Sequence, residues 1–261
     1  MSIDLKEQNW QNFTLHHLRN WHGIWTRYSP QGEVTDSFKS QRNFHSNPEK
    51  TEVVQTNRYI YDDGRTEEQS WEFNELSNSL SDGLFHPQNQ SMRGVFFGSG
   101  HAAWLTTKLT TGSYFAVELF FIHNQLRHSV GIVYDQDGSL FRTANIREDA
   151  DGFPSQYWST QLNQLPERNF HNKYQGTAVT ITPDLRISAP VPTQLHFPSK
   201  RDKTFFLPDG VSVSCSDKVS VGNSFILAAN WLVEPSTVQQ LLISYDEGGD
   251  FSALTLELLH L

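Results

Sequence analysis

The segment SYFAVELFFIHNQLRHSVGIVYD, Ser113 to Asp135, lies without a gap over SFILAANWLVEPSTVQQLLISYD, Ser224 to Asp246. Ser113 faces Ser224, Tyr114 faces Phe225, Phe120 faces Trp231 and Ile132 faces Ile243, and both copies end in Tyr-Asp before a turn with glycine. A shorter pair precedes each copy: WHGIWTRYSP (Trp21 to Pro30) over YQGTAVTITP (Tyr174 to Pro183), with an aromatic, a glycine and a proline in register. The two matches occur in the same order. Whatever unit the chain folds into is therefore built twice, and the first copy carries the larger insertions.

That unit is made of strands. Thr51 to Tyr61 is rich in β-branched and aromatic residues, ends at Asp62-Asp63-Gly64 and returns through Gln69 to Phe73. Asp-Gly between such runs is a strong hairpin signal. Tyr114 to Phe121 and Leu126 to Tyr134 form a second pair, followed by Asp135-Gln136-Asp137-Gly138 and a run from Ser139 to Ile146. Val211 to Ser216 alternates with period two, placing Val211, Val213 and Cys215 on one face. Cys215 then reads as a small buried apolar residue. Helices are few. Trp10, Phe13, Leu18 and Trp21 are spaced loosely as one helical face, which predicts a short helix before the first strand. Ser155 to Asn169 suits either a second helix or, given Pro154 and Pro166, a linker.

Many short antiparallel strands leave a sandwich or a closed barrel. The order of short helix, strand with Gly23-Ile24-Trp25, then successive hairpins favours an up-and-down barrel. In this reading Gly23 lets the first strand bend sharply and Trp25 fills the narrow end. The expected fold is all-β: two antiparallel barrels from an internal duplication, with short helices. The expected division is a first barrel over 1–154, a linker over 155–168, and a second, smaller barrel or partial barrel over 169–261.

Composition narrows the function classes. The formal net charge is −9 with no dense basic run, which excludes wrapping nucleic acid or docking on an anionic membrane surface. The most apolar stretch, Tyr114 to Ile122, is broken by Glu118 and is far shorter than the roughly 20 residues of a membrane span. There is one cysteine, so no intramolecular disulfide forms, and the polar start MSIDLKEQNW reads as no signal peptide. A soluble, cytoplasmic protein is expected.

At this point the residues resemble known ones. Gly23-Ile24-Trp25 resembles the opening signature of lipocalin-like (calycin) barrels. NWHGIWTRYSPQGEVTDSFKSQR, with VELFFIHNQLRHSVGIVYDQDGSLFRTANIRE, resembles an uncharacterised family of cyanobacterial and plastid-lineage proteins, similar in structure to the phycobiliprotein lyases. The resemblance covers most of the first half; in the second it rests on YQGTAVTITPDLRIS and the final strands. It implies two lipocalin-like barrels, a cytoplasmic setting and a pocket for a hydrophobic or tetrapyrrole-like ligand such as a bilin. A phycobiliprotein-like acceptor is the partner it implies. It carries over no activity.

Candidate site residues follow from strand alternation. If Trp25 points into the barrel, so do Gly23 and Arg27, and an inward charge must be paired or solvated. With His123-Asn124 as the hairpin loop, Phe120 faces Arg127 and Glu118 faces Ser129, which brings Glu118 and Arg127 together diagonally as an ion pair. Opposite Glu118 and Arg127 the second copy has Ala229 and Val238; opposite Trp25 and Arg27 it has Ala178 and Thr180. Either the first barrel holds a ligand site and the second is its structural partner, or the copies drifted and Glu118–Arg127 is a surface pair of little worth. Trp71, in phase with Phe73, lines the same cavity or is simply core. The candidate ligand-binding set is Trp25, Arg27, Trp71, Glu118 and Arg127. An apolar cavity with a few polar groups is the usual small-molecule site, and arginine beside tryptophan suits a flat ligand bearing carboxylates.

The remaining chemistry is thin. His16-His17 on the helix, and His123 and His128 about a turn, read as solvated or hydrogen-bonded, and His260 suggests haem ligation by position alone. There is no Gly-x-Ser-x-Gly, P-loop or Gly-x-Gly-x-x-Gly, and Gly98-Ser99-Gly100 reads as a loop. Asp62-Asp63 and Glu67-Glu68 read as a solvated hairpin end rather than a catalytic dyad or Ca²⁺ site. These absences point away from an enzyme. Three readings stay open: a binding protein for a small hydrophobic or tetrapyrrole-like ligand; a bilin lyase or chaperone in which Glu118 and Arg127 hold or protonate the chromophore; and a filled-barrel scaffold for protein contacts.

Overall fold

The computed structural model describes residues 4–168, 174–195 and 203–261. Helix α1 (Leu5–His16) leads into β1 (Trp21–Tyr28), β2 (Val34–Ser46), β3 (Glu52–Ile60) and β4 (Thr66–Asn74). One helical turn, α2 (Glu75–Asn78), precedes β5 (Ser79–Leu80), β6 (Gly83–His86), β7 (Asn89–Phe96) and β8 (Ala102–Thr106). Then come β9 (Phe115–His123), β10 (Leu126–Tyr134) and β11 (Leu140–Asp149). The second half holds β12 (Gln175–Ile181), β13 (Val191–Gln194), β14 (Lys203–Phe206), β15 (Val211–Cys215), β16 (Phe225–Glu234), β17 (Thr237–Tyr245) and β18 (Phe251–His260). Among the described residues, 155–168 hold no helix; Asn169 lies outside them. No described helix is long and apolar enough to cross a membrane.

The strands form two antiparallel sheets. The first runs β4-β3-β2-β1-β11-β10-β9-β8-β7-β6-β5, the second β13-β12-β18-β17-β16-β15-β14. The series β1-β11-β10-β9-β8-β7 thus recurs as β12-β18-β17-β16-β15-β14, which is the duplication in space. The first sheet curls into a nearly closed barrel: Phe73 of β4 comes within 6.0 Å of Trp104 of β8, ring to ring. Helix α1 closes one end. Its Trp10 and Phe13 pack among Val53, Phe73, Leu84, Phe96, Ala102 and Phe120, which come from six different strands. Asn9 accepts from the Phe96 amide and donates to the Gly94 carbonyl, and Asn12 donates to the Phe96 carbonyl. The helix thereby satisfies a strand edge that β6 is too short to cover. Of the four residues spaced as a helical face, Trp10 and Phe13 lie on α1, whereas Leu18 follows it and Trp21 opens β1.

Two registers differ from the expected ones. The tip of the β9–β10 hairpin is Asn124-Gln125, so Phe120 faces Ser129 and Glu118 faces Gly131. Asn124 takes a left-handed conformation, φ 57°, which asparagine tolerates in a tight hairpin loop. The β16–β17 hairpin has a bulge between Leu232 and Glu234. Before that bulge the gapless alignment is off by one, and the spatial counterparts of Glu118, Phe120 and Phe121 are Ala228, Asn230 and Trp231. Beyond it, Val238 remains the counterpart of Arg127.

The two sheets pack face to face through a shared core that includes Val117, Leu119 and Phe121 from β9 and Leu227, Ala229 and Trp231 from β16. The contact is reciprocal, as in an isologous dimer. Tyr134 donates its hydroxyl to the Ser216 carbonyl at 2.8 Å, and its counterpart Tyr245 donates to the Thr106 carbonyl at 2.8 Å. Leu109 N–H bonds Gly249 O and Val219 N–H bonds Gly138 O; Phe251 N–H bonds Thr107 O and Leu140 N–H bonds Asp217 O. A consequence follows for two matched substitutions. Tyr134→Phe and Tyr245→Phe should each cost about 0.5–1.5 kcal/mol, because each removes one buried hydrogen bond between the two halves. Urea midpoints read the two losses, which should agree within their error.

This packing explains why β9, β10 and β11 are buried on both faces. One face looks into the barrel and the other onto the second sheet. Arg147 and Asn145 use the second face: Arg147 pairs with Asp209 at 2.6 Å, and Asn145 donates to the Pro208 carbonyl. Cys215 is fully buried with Val211 and Val213 on one face of β15, inside the shared core.

Candidate functional site inside the first barrel

Alternation along β1 points Trp21, Gly23, Trp25 and Arg27 into the barrel. Trp21 sits at the α1 end, donating its indole N–H to the His17 carbonyl. It is Trp21, not Trp25, that fills this closed end. Gly23 has a use beyond bending. A Cβ there would fall 2.9 Å from Cγ of Glu148 and 2.9 Å from Oγ of Ser40, so glycine makes room for a buried carboxylate.

Glu148 organises a cluster of charges. It is fully buried, as Gly23's partner on β11. Arg127 Nε donates to its Oε2 at 2.6 Å, and Arg42 Nε lies 3.2 Å from its Oε1. Arg42 also reaches Glu118 Oε1 at 3.4 Å, and Ser129 donates to that same oxygen at 2.8 Å. Two arginines thus neutralise two glutamates. Burial opposes the charge on Glu148, yet Arg127 and Arg42 outweigh it and hold the carboxyl below its ordinary pKa. Burial likewise opposes the charge on Arg42, and Glu148 with Glu118 holds its pKa above the ordinary value. Aromatic faces complete the cage: Arg127 stacks over Trp21 at 4.5 Å, and Arg42 over Trp25 at 4.8 Å. His17 donates its Nε2–H to the Gly100 carbonyl, and its Nδ1 faces Arg127; burial, then the Arg127 charge, push its pKa well below the ordinary range.

Above this cluster the barrel is hollow. Adjacent strands β9, β10 and β11 present Ala116, Gly131 and Ala144 to the interior, leaving a cavity of about 150 Å³. Its walls include Trp25, Met92 and Ile146, its floor Glu118, and its mouth Arg27 and Arg142. The Trp25 indole is fixed by a hydrogen bond to Ser40 Oγ at 2.9 Å and stacks on Phe38 at 5.7 Å. Arg27 pairs with Asp36 at 3.3 Å beside the Phe38 ring. Arg142 is half-buried, and burial and then neighbouring Arg27 hold its pKa below the ordinary value. Tyr114 and Phe141 stand exposed next to it, edge to face at 6.1 Å.

The structure therefore brings Trp25, Arg27 and Glu118 to one cavity. Arg127 lies a layer below, inside the barrel but bound to Glu148; the expected Glu118–Arg127 pair is replaced by Arg127–Glu148 and Arg42–Glu118. The register of the hairpin tip is the reason. Trp71 packs in the aromatic group around α1, 5.6 Å from His86, away from the cavity. The second copy answers the cluster with hydrocarbon. The sheet counterparts of Trp21, Arg42, Arg127 and Glu148 are Tyr174, Leu195, Val238 and Leu259, and these four form one apolar cluster. Among the described residues no three His, Cys, Asp or Glu side chains gather to hold a metal ion. His260 is exposed near Thr237.

Residues 6–153 match the family described as "Domain of unknown function (DUF3598), N-terminal". Residues 195–258 match the family described as "Biogenesis factor required for ATP synthase 1, C-terminal domain". The crystal structure of a protein of unknown function from the DUF3598 family of Nostoc punctiforme is similar over 97% of this chain and 98% of that one, at 22% identity and a TM-score of 0.73; the fold is shared. An S-type phycobiliprotein lyase of Guillardia theta aligns over 56% of this chain and 95% of its own, at 10% identity and a TM-score of 0.38. No curated protein matches the chain.

Proposed function

From the premise that this chain belongs to the DUF3598 family, we propose that its first barrel binds a small hydrophobic ligand lying flat against Trp25. The observation that carries this is the cavity itself, about 150 Å³ between Trp25 and three small residues on neighbouring strands. Interiors are normally packed without such space. Here filling it would have required only larger side chains at Ala116, Gly131 or Ala144. An apolar cavity of this volume holds a molecule of about the size of benzene. For a tetrapyrrole such as a bilin, one ring fills the cavity and the rest lies across the mouth, beside Arg27, Arg142 and the exposed Tyr114–Phe141 pair. The second barrel serves as the structural partner of the first.

The test is titration with toluene, biliverdin and haem, followed by tryptophan fluorescence and absorbance. At least one should change the emission, and Trp25→Phe should remove that change. Ala144→Leu should abolish binding while the far-UV spectrum and urea midpoint stay close to wild type, since the added carbons enter empty space. No binding by any probe, or undiminished binding by Ala144→Leu, would overturn the proposal. Transfer of a bound bilin to a phycobiliprotein-like acceptor would turn the binding reading into the lyase one.

A further inference from the structure

The geometry points to a dipolar ligand class for this cavity: a flat aromatic acid, with its carboxylate at the mouth against Arg142 and an N–H or O–H donor at the floor against Glu118. The inference rests on the binding reading above and adds the chemistry of the two ends.

At the floor, both polar contacts of Glu118 fall on one oxygen. Oε1 takes Ser129 and Arg42, while Oε2 accepts no hydrogen bond from the described residues. Glu118 borders the cavity, so its second oxygen is a charged acceptor within reach of whatever lies there. The charges below are already balanced, Arg42 and Arg127 against Glu148 and Glu118. The inner end of the ligand therefore brings a neutral donor, not a cation. At the mouth the balance differs. Arg27 is matched by Asp36, whereas Arg142 lies beside the Phe141 ring and pairs with no carboxylate among the described residues. One positive charge is left over, and arginine's fork matches one carboxylate.

The spacing fits a single ring. Glu118 faces Gly131, and Val133, two residues further along β10, faces Arg142. Rows of side chains on one face of a strand are about 7 Å apart. Between the rows, Trp25, Met92, Ile146 and Ala144 offer apolar walls. A ring with its donor para to its carboxylate spans the two rows, and a ring lacking either group leaves Glu118 or Arg142 unanswered.

The probes are p-aminobenzoate, benzoate, aniline and toluene, titrated calorimetrically into the full chain. A hydrogen bond to a charged group changes affinity by about tenfold or more. p-Aminobenzoate should bind about tenfold tighter than benzoate or aniline, and toluene weakest. Arg142→Gln, at the rim and without bearing on the core, should reduce p-aminobenzoate to the level of aniline and leave aniline unchanged. Glu118→Gln should erase the advantage of the amine and leave benzoate unchanged. If toluene binds as tightly as p-aminobenzoate, or Arg142→Gln binds the acid like wild type, the dipolar assignment falls while the cavity remains a ligand site. If none of the four binds, the binding reading falls for ligands of one ring, and this inference with it.

Discussion

Between pH 7 and pH 5 the protein is expected to lose roughly 4 kcal/mol of stability through two imidazoles, His101 and His128. Both are buried. Burial holds each pKa down at about 4 in the fold, against about 6.5 in an unfolded chain. In that window the unfolded state binds protons that the folded state refuses, so stability falls as pH falls. The loss begins near pH 6.5, grows by about 1.4 kcal/mol per pH unit per imidazole, and levels off below about pH 4. At pH 5 this is about 2 kcal/mol for each residue, a large share of an ordinary stability of about 5–15 kcal/mol. His17 and the half-buried His86, whose pKa values burial also depresses, act with the same sign. His128 is wedged against Trp158 and Trp231 and bonded to Asn145, so its protonation strikes the contact between the two halves. Urea midpoints at pH 7, 6 and 5 measure the effect, and His128→Gln should reduce the slope by about one proton. A midpoint flat from pH 7 to 5 would show that the imidazoles are not held neutral.

Much of this architecture is legible in the sequence, and the parts that are not have physical reasons. Period two is enough to put Trp25, Arg27 and Glu118 on one interior, because strand alternation does not depend on register. Which charges meet does depend on register. A loop of Asn124-Gln125 in place of His123-Asn124 keeps every side chain on its face but slides each pairing along the strand. The signal was present: asparagine is the residue that accepts a left-handed φ at a hairpin tip. Glu148 and Arg42 were hidden differently. Arg147-Glu148-Asp149 reads as a polar strand end, since a strand buried on both faces normally runs apolar. Here two neighbours, the barrel interior and the second sheet, each supply partners for alternate charges. Gly23 was the available clue, as a missing side chain opposite Glu148 leaves space for the carboxylate. The bulge at Leu232 is invisible to a gapless alignment, so the match of Phe120 with Trp231 was off by one, while Arg127 with Val238 was not.

The second copy then supplies the strongest expectation about what the buried charges are for. Glu148→Gln leaves Arg127 and Arg42, both buried, without their shared carboxylate, and breaking a buried pair in this way costs about 3–5 kcal/mol. That loss would suggest that the cluster holds the barrel together. The apolar group of Tyr174, Leu195, Val238 and Leu259 argues otherwise, because the same sheet positions are filled there by hydrocarbon. Replacing a buried charge network with packed apolar side chains is often neutral or stabilising. Arg42→Leu/Arg127→Val/Glu148→Leu should therefore recover most of what Glu148→Gln loses, ending within about 1–2 kcal/mol of wild type. What the triple variant cannot restore is the environment of Glu118. Without Arg42, Ser129 is the one described hydrogen-bond partner left to hold the Glu118 carboxylate in place at the cavity floor. Binding of p-aminobenzoate should then fall about tenfold in a protein that is still folded, because the acceptor at the floor is no longer held in position. A triple variant as unstable as Glu148→Gln would assign the charges to folding. One that is stable and binds like wild type would remove Glu118 from the site.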